Sequence, residues 1–300
     1  MKRSLVLIAV VLVAGCGKAD VPTGGPVSVT VSQDFGASRL APTSRQTAKK
    51  NETVMSLLQR SYEVTAGSGG VQEISGVSGG QDEGKPVDWF YYVNGVAAEQ
   101  GAAQRKLYPG DRVWWDRHFK VHVPAVVGAF PEPFRSGMDG KKLPIRLVCL
   151  SASDDRSCDE VETRLQTAGI KDLARSNLES SPGQVVRILV GKWSEVRKDI
   201  AGRTLEQGPS VSGVFARPNP AGSKIDLLDP EGQTIRSLGP ASGLIAATRY
   251  KDEQPTWIVT GTDDVGVAAA AAAMNEEQLS NHFALAVENG RGVALPLNSP

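Results

Sequence analysis

Three groups of side chains in this 300-residue chain have the type and spacing to do chemistry. The first is the cysteines: Cys149 and Cys158 lie nine positions apart, and Cys16 stands alone near the N-terminus. With Cys16 committed elsewhere, Cys149 and Cys158 form an even pair suited to a disulfide between a strand end and a helix start. The alternative is two partly buried free thiols. Neither has a histidine or cation beside it in sequence, which argues against a catalytic thiolate. The second group is aromatic. Trp89-Phe-Tyr-Tyr-Val93 and Trp114-Trp115 hold three of the five tryptophans. Trp89, Tyr91, Tyr92, Asn94, Trp114 and Trp115 are therefore the candidate ligand-binding residues, offering flat surfaces to a planar ligand or a sugar. The alternative is that both faces of this aromatic patch are covered, one by a helix and one by a second domain.

The third group is ionisable, and it gives no enzyme pattern. His118 and His122 are four apart, without the third ligand that a zinc site requires. Asp154-Asp155 and Asp159-Glu160 read as the solvated start of a helix. Gly261-Thr-Asp-Asp264 joins a strand to a helix, where Thr262 or Asp263 is expected as the cap. Gly191-Lys192 is not a phosphate-cradling loop, and Gly208 to Gly213 is not a nucleophile elbow. No catalytic residue, cofactor or metal is expected.

The N-terminus supplies an address. Lys2 and Arg3 precede an apolar run from Leu5 to Ala14, too short to span a bilayer of about 30 Å. Ala14-Gly15-Cys16 then resembles the bacterial lipobox, which implies cleavage before Cys16 and lipid on its sulfur. The expectation is a chain anchored to the membrane by lipid and facing outside the cytoplasm. Its signal peptide is 1–15 and its Gly/Pro-rich tether 16–26. Losing Lys2 and Arg3 leaves 31 basic against 33 acidic side chains, so nothing favours nucleic acid.

The elements that must position the aromatic residues follow from patterning. Val27 to Val31 alternates as a half-buried strand, and Gly36 to Lys50 reads as a loop. Val54, Met55, Leu57 and Leu58 share one face of a helix with Asn51 as candidate cap. Trp89 to Val93 is the strongest strand, followed by Asn94-Gly95, the favoured pair for a type I′ hairpin turn. Arg112 to Phe119 is a further aromatic strand. The Trp…Asn-Gly…Gly-Asp pattern, with Gly110-Asp111, Val113 and Trp115, resembles the family of the transcobalamin and intrinsic-factor C-terminal domain. The resemblance covers 27–123. It implies a β-grasp-like domain, one helix on a mixed sheet, with a corrinoid as the ligand to test.

Residues 124–143, rich in proline, read as a linker, and 144–300 alternate strand and helix. Strands are expected at 145–150, 185–190, 211–216, 225–228, 234–238, 244–248 and 257–260, with 293–297 at a sheet edge. Helices are expected at 155–168, 193–205 and 263–274. The hairpin around Asp229 to Gly232 argues against a wholly parallel sheet. The fold class is thus α+β, a β-grasp-like domain followed by an α/β sandwich. The expected role is binding: capture of a small ligand for uptake, or an envelope interaction module without one.

Overall fold

The computed structural model describes residues 24–67, 70–151, 155–176, 184–251 and 253–297. Cys16, the leader and most of the tether lie outside them. No helix among the described residues is long and apolar enough to cross a membrane.

Two α+β regions follow one another. In the first, β1 (Pro26–Gln33), β2 (Ser44–Thr47), β3 (Lys85–Val93) and β4 (Arg112–Phe119) form the body of a mixed sheet. β4 is central, parallel to β1 and antiparallel to β3, while β2 pairs antiparallel with the other edge of β1. The one helix of this region among the described residues, α1 (Val54–Ser61), buries Val54, Leu57 and Leu58. They join Val27, Val29, Val31, Trp89, Val93, Val113 and Trp115 in a core on one face of the sheet. The cap of α1 is Thr53, not Asn51. Asn51 has φ 54°, a left-handed turn conformation, whereas a cap needs extended backbone, which Thr53 supplies at φ −111°. Thr53 and Ser56 cap each other reciprocally. Residues 36–50, expected as a loop, contain β2 and a two-residue strand, Ser38–Arg39, that also pairs with β1.

The second region is a seven-stranded sheet. Its strands are β5 (Ile145–Cys149), β6 (Leu173–Ser176), β7 (Val186–Lys192), β8 (Gly243–Thr248), β9 (Thr256–Gly261), β10 (Ala284–Glu288) and β11 (Arg291–Leu295). The order across the sheet is β6-β5-β7-β9-β8-β10-β11. β6, β5, β7 and β9 run parallel, and the pairings from β9 onward are antiparallel. Helices α2 (Asp155–Thr167) and α3 (Asp264–Ala273) cover one face with Cys158, Val161, Leu165, Val267, Ala270 and Ala271. Asp263 caps α3, its carboxylate accepting from the Gly266 amide at 2.9 Å. Cys149 and Cys158 are disulfide-bonded, with Cα atoms 6.1 Å apart.

Two expected elements differ. Residues 193–205 do not form one helix but Trp193–Val196 and Ile200–Glu206. The first ends at Val196 with Arg197 as its C-cap, and Asp199, in extended backbone, caps the second, accepting from the Ala201 amide at 2.8 Å while paired with Arg187. Residues 211–216 are not a strand. Pro209–Ser212 is a helical turn ended by Gly213 at φ 71°, and the strand begins at Ala216. The 124–143 segment is largely buried; Phe130 and Phe134 lie against Trp257, with Phe134 4.9 Å away centroid to centroid.

Candidate functional site

The side of the first sheet away from α1 faces the second region. Alternation places Phe90 and Tyr92 of β3, and Trp114, Asp116 and His118 of β4, on that side, with Asn94 in the turn that follows β3. At one end the contact is a continuous apolar core. Tyr92, Trp114 and Phe35 join Val148, Leu189, Trp193, Phe215, Leu244, Ile258 and Phe283 of the second region. Phe283 sets its ring edge-on to Phe35, Tyr92, Trp114 and His118, at centroid distances of 5.1 to 5.6 Å. His118 is stacked between Phe35 and Phe90.

Apart from the Trp193 indole N–H, which is buried without a hydrogen-bond partner among the described residues, the polar side chains within this core are paired. The Nδ1–H of His118 donates to the Phe119 carbonyl at 2.7 Å, which leaves Nε2 to accept from the Tyr92 hydroxyl at 3.3 Å. Burial keeps the imidazole neutral, its pKa pushed down to about 4. The Trp114 indole donates to Ser32 Oγ, and Ser32 donates to Asp116, both at 2.6 Å. Asp116 also accepts the Phe35 and Gly36 amides at 3.0 and 2.8 Å. These bonds hold Asp34, Phe35 and Gly36 in a turn with positive φ, which thrusts Phe35 into the second region. Burial pushes the Asp116 carboxyl up to about 7, against the lowering effect of its three donors.

The candidate ligand-binding residues divide accordingly. Trp89 and Trp115 are buried toward α1, and Tyr91 stacks on Trp115 at 4.8 Å while its hydroxyl donates to the Gln100 carbonyl. Tyr92 is buried between the regions. Asn94, wholly buried, makes the turn with Gly95 at φ 54° and 80°. Its amide donates to Asp111 and the Gly137 carbonyl and accepts from the Arg112 amide. Both faces of the aromatic strands are therefore largely covered, and Trp114 lines a cleft between the regions.

That cleft, of about 360 Å³, lies between the regions at the β1–β2 end of the sheet. One wall carries Ser28, Thr30, Arg39, Thr43, Arg45 and Arg112; the other is Gly128, Ala129, Glu276, Ser280 and Asn281, with Trp114 at the floor. Glycines let the walls meet around the indole. A Cβ on Gly36 would lie 2.0 Å from the Asn281 carbonyl oxygen, and one on Gly128 2.7 Å from the Trp114 ring and 2.8 Å from His282 backbone atoms. Arg112 crosses the cleft to Glu276 at 2.7 Å and donates to the Phe130 carbonyl at 3.1 Å.

Composition and motifs did not single out these arginines. Arg45, Ser28 and Arg112 form one rung across β2, β1 and β4, a register no short motif records. His118 and His122 do not form a pair, since β4 ends at Phe119 and only His118 is buried. Among the described residues no cluster of three potential metal ligands occurs.

No curated protein matches the chain. A crystal structure of a "putative metal binding protein" from Ruminococcus gnavus ATCC 29149 is similar at 13% identity and a TM-score of 0.25, over 32% of this chain and 97% of that one. Residues 51–118, which contain α1, β3 and most of β4, match a family described as a domain of unknown function, DUF4430.

Proposed function

We propose that the chain is a binding protein held at the outer side of the cytoplasmic membrane by lipid on Cys16, and that it receives a small ligand in the cleft between its two regions. The supporting observation is the cleft itself, walled by both regions, floored by Trp114 and lined with hydrogen-bonding side chains. Ligand sites favour domain interfaces, and this volume lies at the low end of the range of about 300–1,000 Å³ for drug-sized ligands. That size favours a ligand smaller than a corrinoid. The envelope interaction module is the second reading, favoured because five of the six candidate aromatic and amide side chains do not line the cleft, four of them buried and Tyr91 half-buried.

The test is a tryptophan-fluorescence titration of the full chain in detergent with cobalamin, small sugars and small anions. A saturable change that disappears in a folded Ser280→Phe variant, which fills the cleft from its rim, supports ligand capture. A flat response to every ligand sinks it and leaves the interaction module. Release of a Cys16→Ser variant from the membrane fraction supports the anchor; retention there overturns it.

A further inference from the structure

We infer that the cleft is a site for a multivalent oxyanion, phosphate or carboxylate, and that Glu276 occupies it as an internal stand-in. The inference rests on the reading of the cleft as a ligand site and names the ligand's chemistry.

Three rungs of the sheet carry it. Arg45, Ser28 and Arg112 are register partners on three adjacent strands. On the next rung Thr30 faces Trp114, and its hydroxyl is 3.0 Å from that of Thr43. On the third, Arg39 pairs with Ser32. Residues 28, 30 and 32 share one face of β1, and register partners share it with them. Neighbouring strands are about 4.8 Å apart, so Arg45 and Arg112 flank Ser28 with Cα atoms roughly 10 Å from each other. Long guanidinium arms from those positions can meet on one ligand.

The charges do not balance. Three guanidinium groups line the cleft, and the one carboxylate among its lining residues is Glu276. Among the described residues Arg112 alone of the three has an ion pair, and its partner is Glu276. An excess of positive charge between low-dielectric walls concentrates anions. Guanidinium forks match the planar oxygen pairs of carboxylate and phosphate, and Ser280, Asn281 and Thr43 add neutral donors at the rim. Glu276 is more than half exposed and sits on a four-residue helix. Exposed ion pairs are weak, so an incoming oxyanion displaces it at small cost.

The experiment titrates pyrophosphate and citrate into the full chain in uncharged detergent at low salt, read by tryptophan fluorescence and calorimetry. One-to-one binding is expected, weakening as salt is raised. Arg39→Gln and Arg45→Gln are each expected to weaken binding about tenfold or more, with unfolding midpoints unchanged. Glu276→Gln is expected to tighten it several-fold by removing the competitor. Adding phosphatidylglycerol to the micelles separates the sources: competition with pyrophosphate assigns a lipid headgroup, and its absence a free anion. Binding that survives the Arg39→Gln/Arg45→Gln double variant overturns the inference. So does silence toward both anions in the parent and in Glu276→Gln. If a neutral ligand then still changes the fluorescence, the cleft remains a binding site and only its anionic chemistry falls; if none does, both readings fall.

Discussion

The interface between the two regions has a dry end and a wet end, both built on one face of one sheet. At the dry end, Phe35, Phe90, Tyr92, Trp114 and His118 close against Phe215 and Phe283. At the wet end, the rungs nearer β2 carry Arg45, Ser28, Arg112 and Thr30, and the regions part around a cleft. Backbone pairing is continuous from one end to the other. The difference lies in side-chain type along β1 to β4. Aromatic side chains gain by leaving water, whereas guanidinium groups lose hydration unless something replaces it. Trp114 belongs to both ends, its ring edge on Phe283 and its indole N–H on Ser32.

If the dry end joins the regions, its central ring is where the molecule breaks. Phe283 is 2% exposed and touches four aromatic rings of the first region. Phe283→Ala is expected to cost about 3–5 kcal/mol in denaturant unfolding, the usual range for a buried phenylalanine. The regions are then expected to unfold in two separable transitions. A loss under about 1 kcal/mol with a single transition would show that the joint lies elsewhere, in the buried 124–143 segment.

The dry end also encloses two titratable groups displaced in opposite directions. Asp116 is pushed up to about 7, so the folded state holds its proton more tightly than the unfolded state. Its contribution is present at acid pH and is lost as pH rises from about 4 through 7. His118 is pushed down to about 4, so its contribution is present above about 6.5 and lost as pH falls through 4. The two offset each other in the parent, each unit of displacement corresponding to about 1.4 kcal/mol. Asp116→Asn is expected to make stability, relative to the parent, rise with pH between about 4 and 7. His118→Phe, which keeps the stack with Phe35 and Phe90, is expected to make it fall over about 4 to 6.5. Reading each variant as a difference from the parent subtracts Asp34, Asp111 and His282, which also titrate with displaced values. Unfolding curves across this range check both signs. Parallel profiles for all three proteins would mean that water reaches the dry end.

How far these ends were legible in sequence depends on the range of the interaction. The aromatic strands alternate visibly, and Asn94-Gly95 marked a turn that the left-handed φ values of both residues realise. Parity and spacing offer Cys149 and Cys158 as a disulfide or as two free thiols, and in the structure they are bonded. Phe35 falls between the strand read at Val27 to Val31 and the loop read from Gly36, and patterning does not reveal it because its conformation depends on a carboxylate 81 positions away. The helix expected over 193–205 failed at Asp199, where an Arg187 pair and a cap outweigh an otherwise helical run. The wet end was least legible. Arg45, Ser28 and Arg112 come from three segments, and only strand register brings them into one rung.

The smallest effect tests whether the wet end also joins the regions. Arg112 and Glu276 are the ion pair across the cleft, with side chains 28% and 59% exposed. An exposed pair contributes about 0–1 kcal/mol, since water screens it and both side chains lose freedom in making it. Arg112→Met removes the pair and also the bond to the Phe130 carbonyl, so it is expected to cost more than Glu276→Gln, which removes the pair alone. The double-mutant cycle cancels that extra loss and isolates the coupling, expected below about 1 kcal/mol. A coupling above about 2 kcal/mol would mean that Glu276 clamps the regions as Phe283 does. It would then be too costly to displace, and the contrast between a sealed end and an open one would collapse. A coupling near zero leaves Glu276 free to yield its place on Arg112 while the aromatic end holds the walls of the cleft in position.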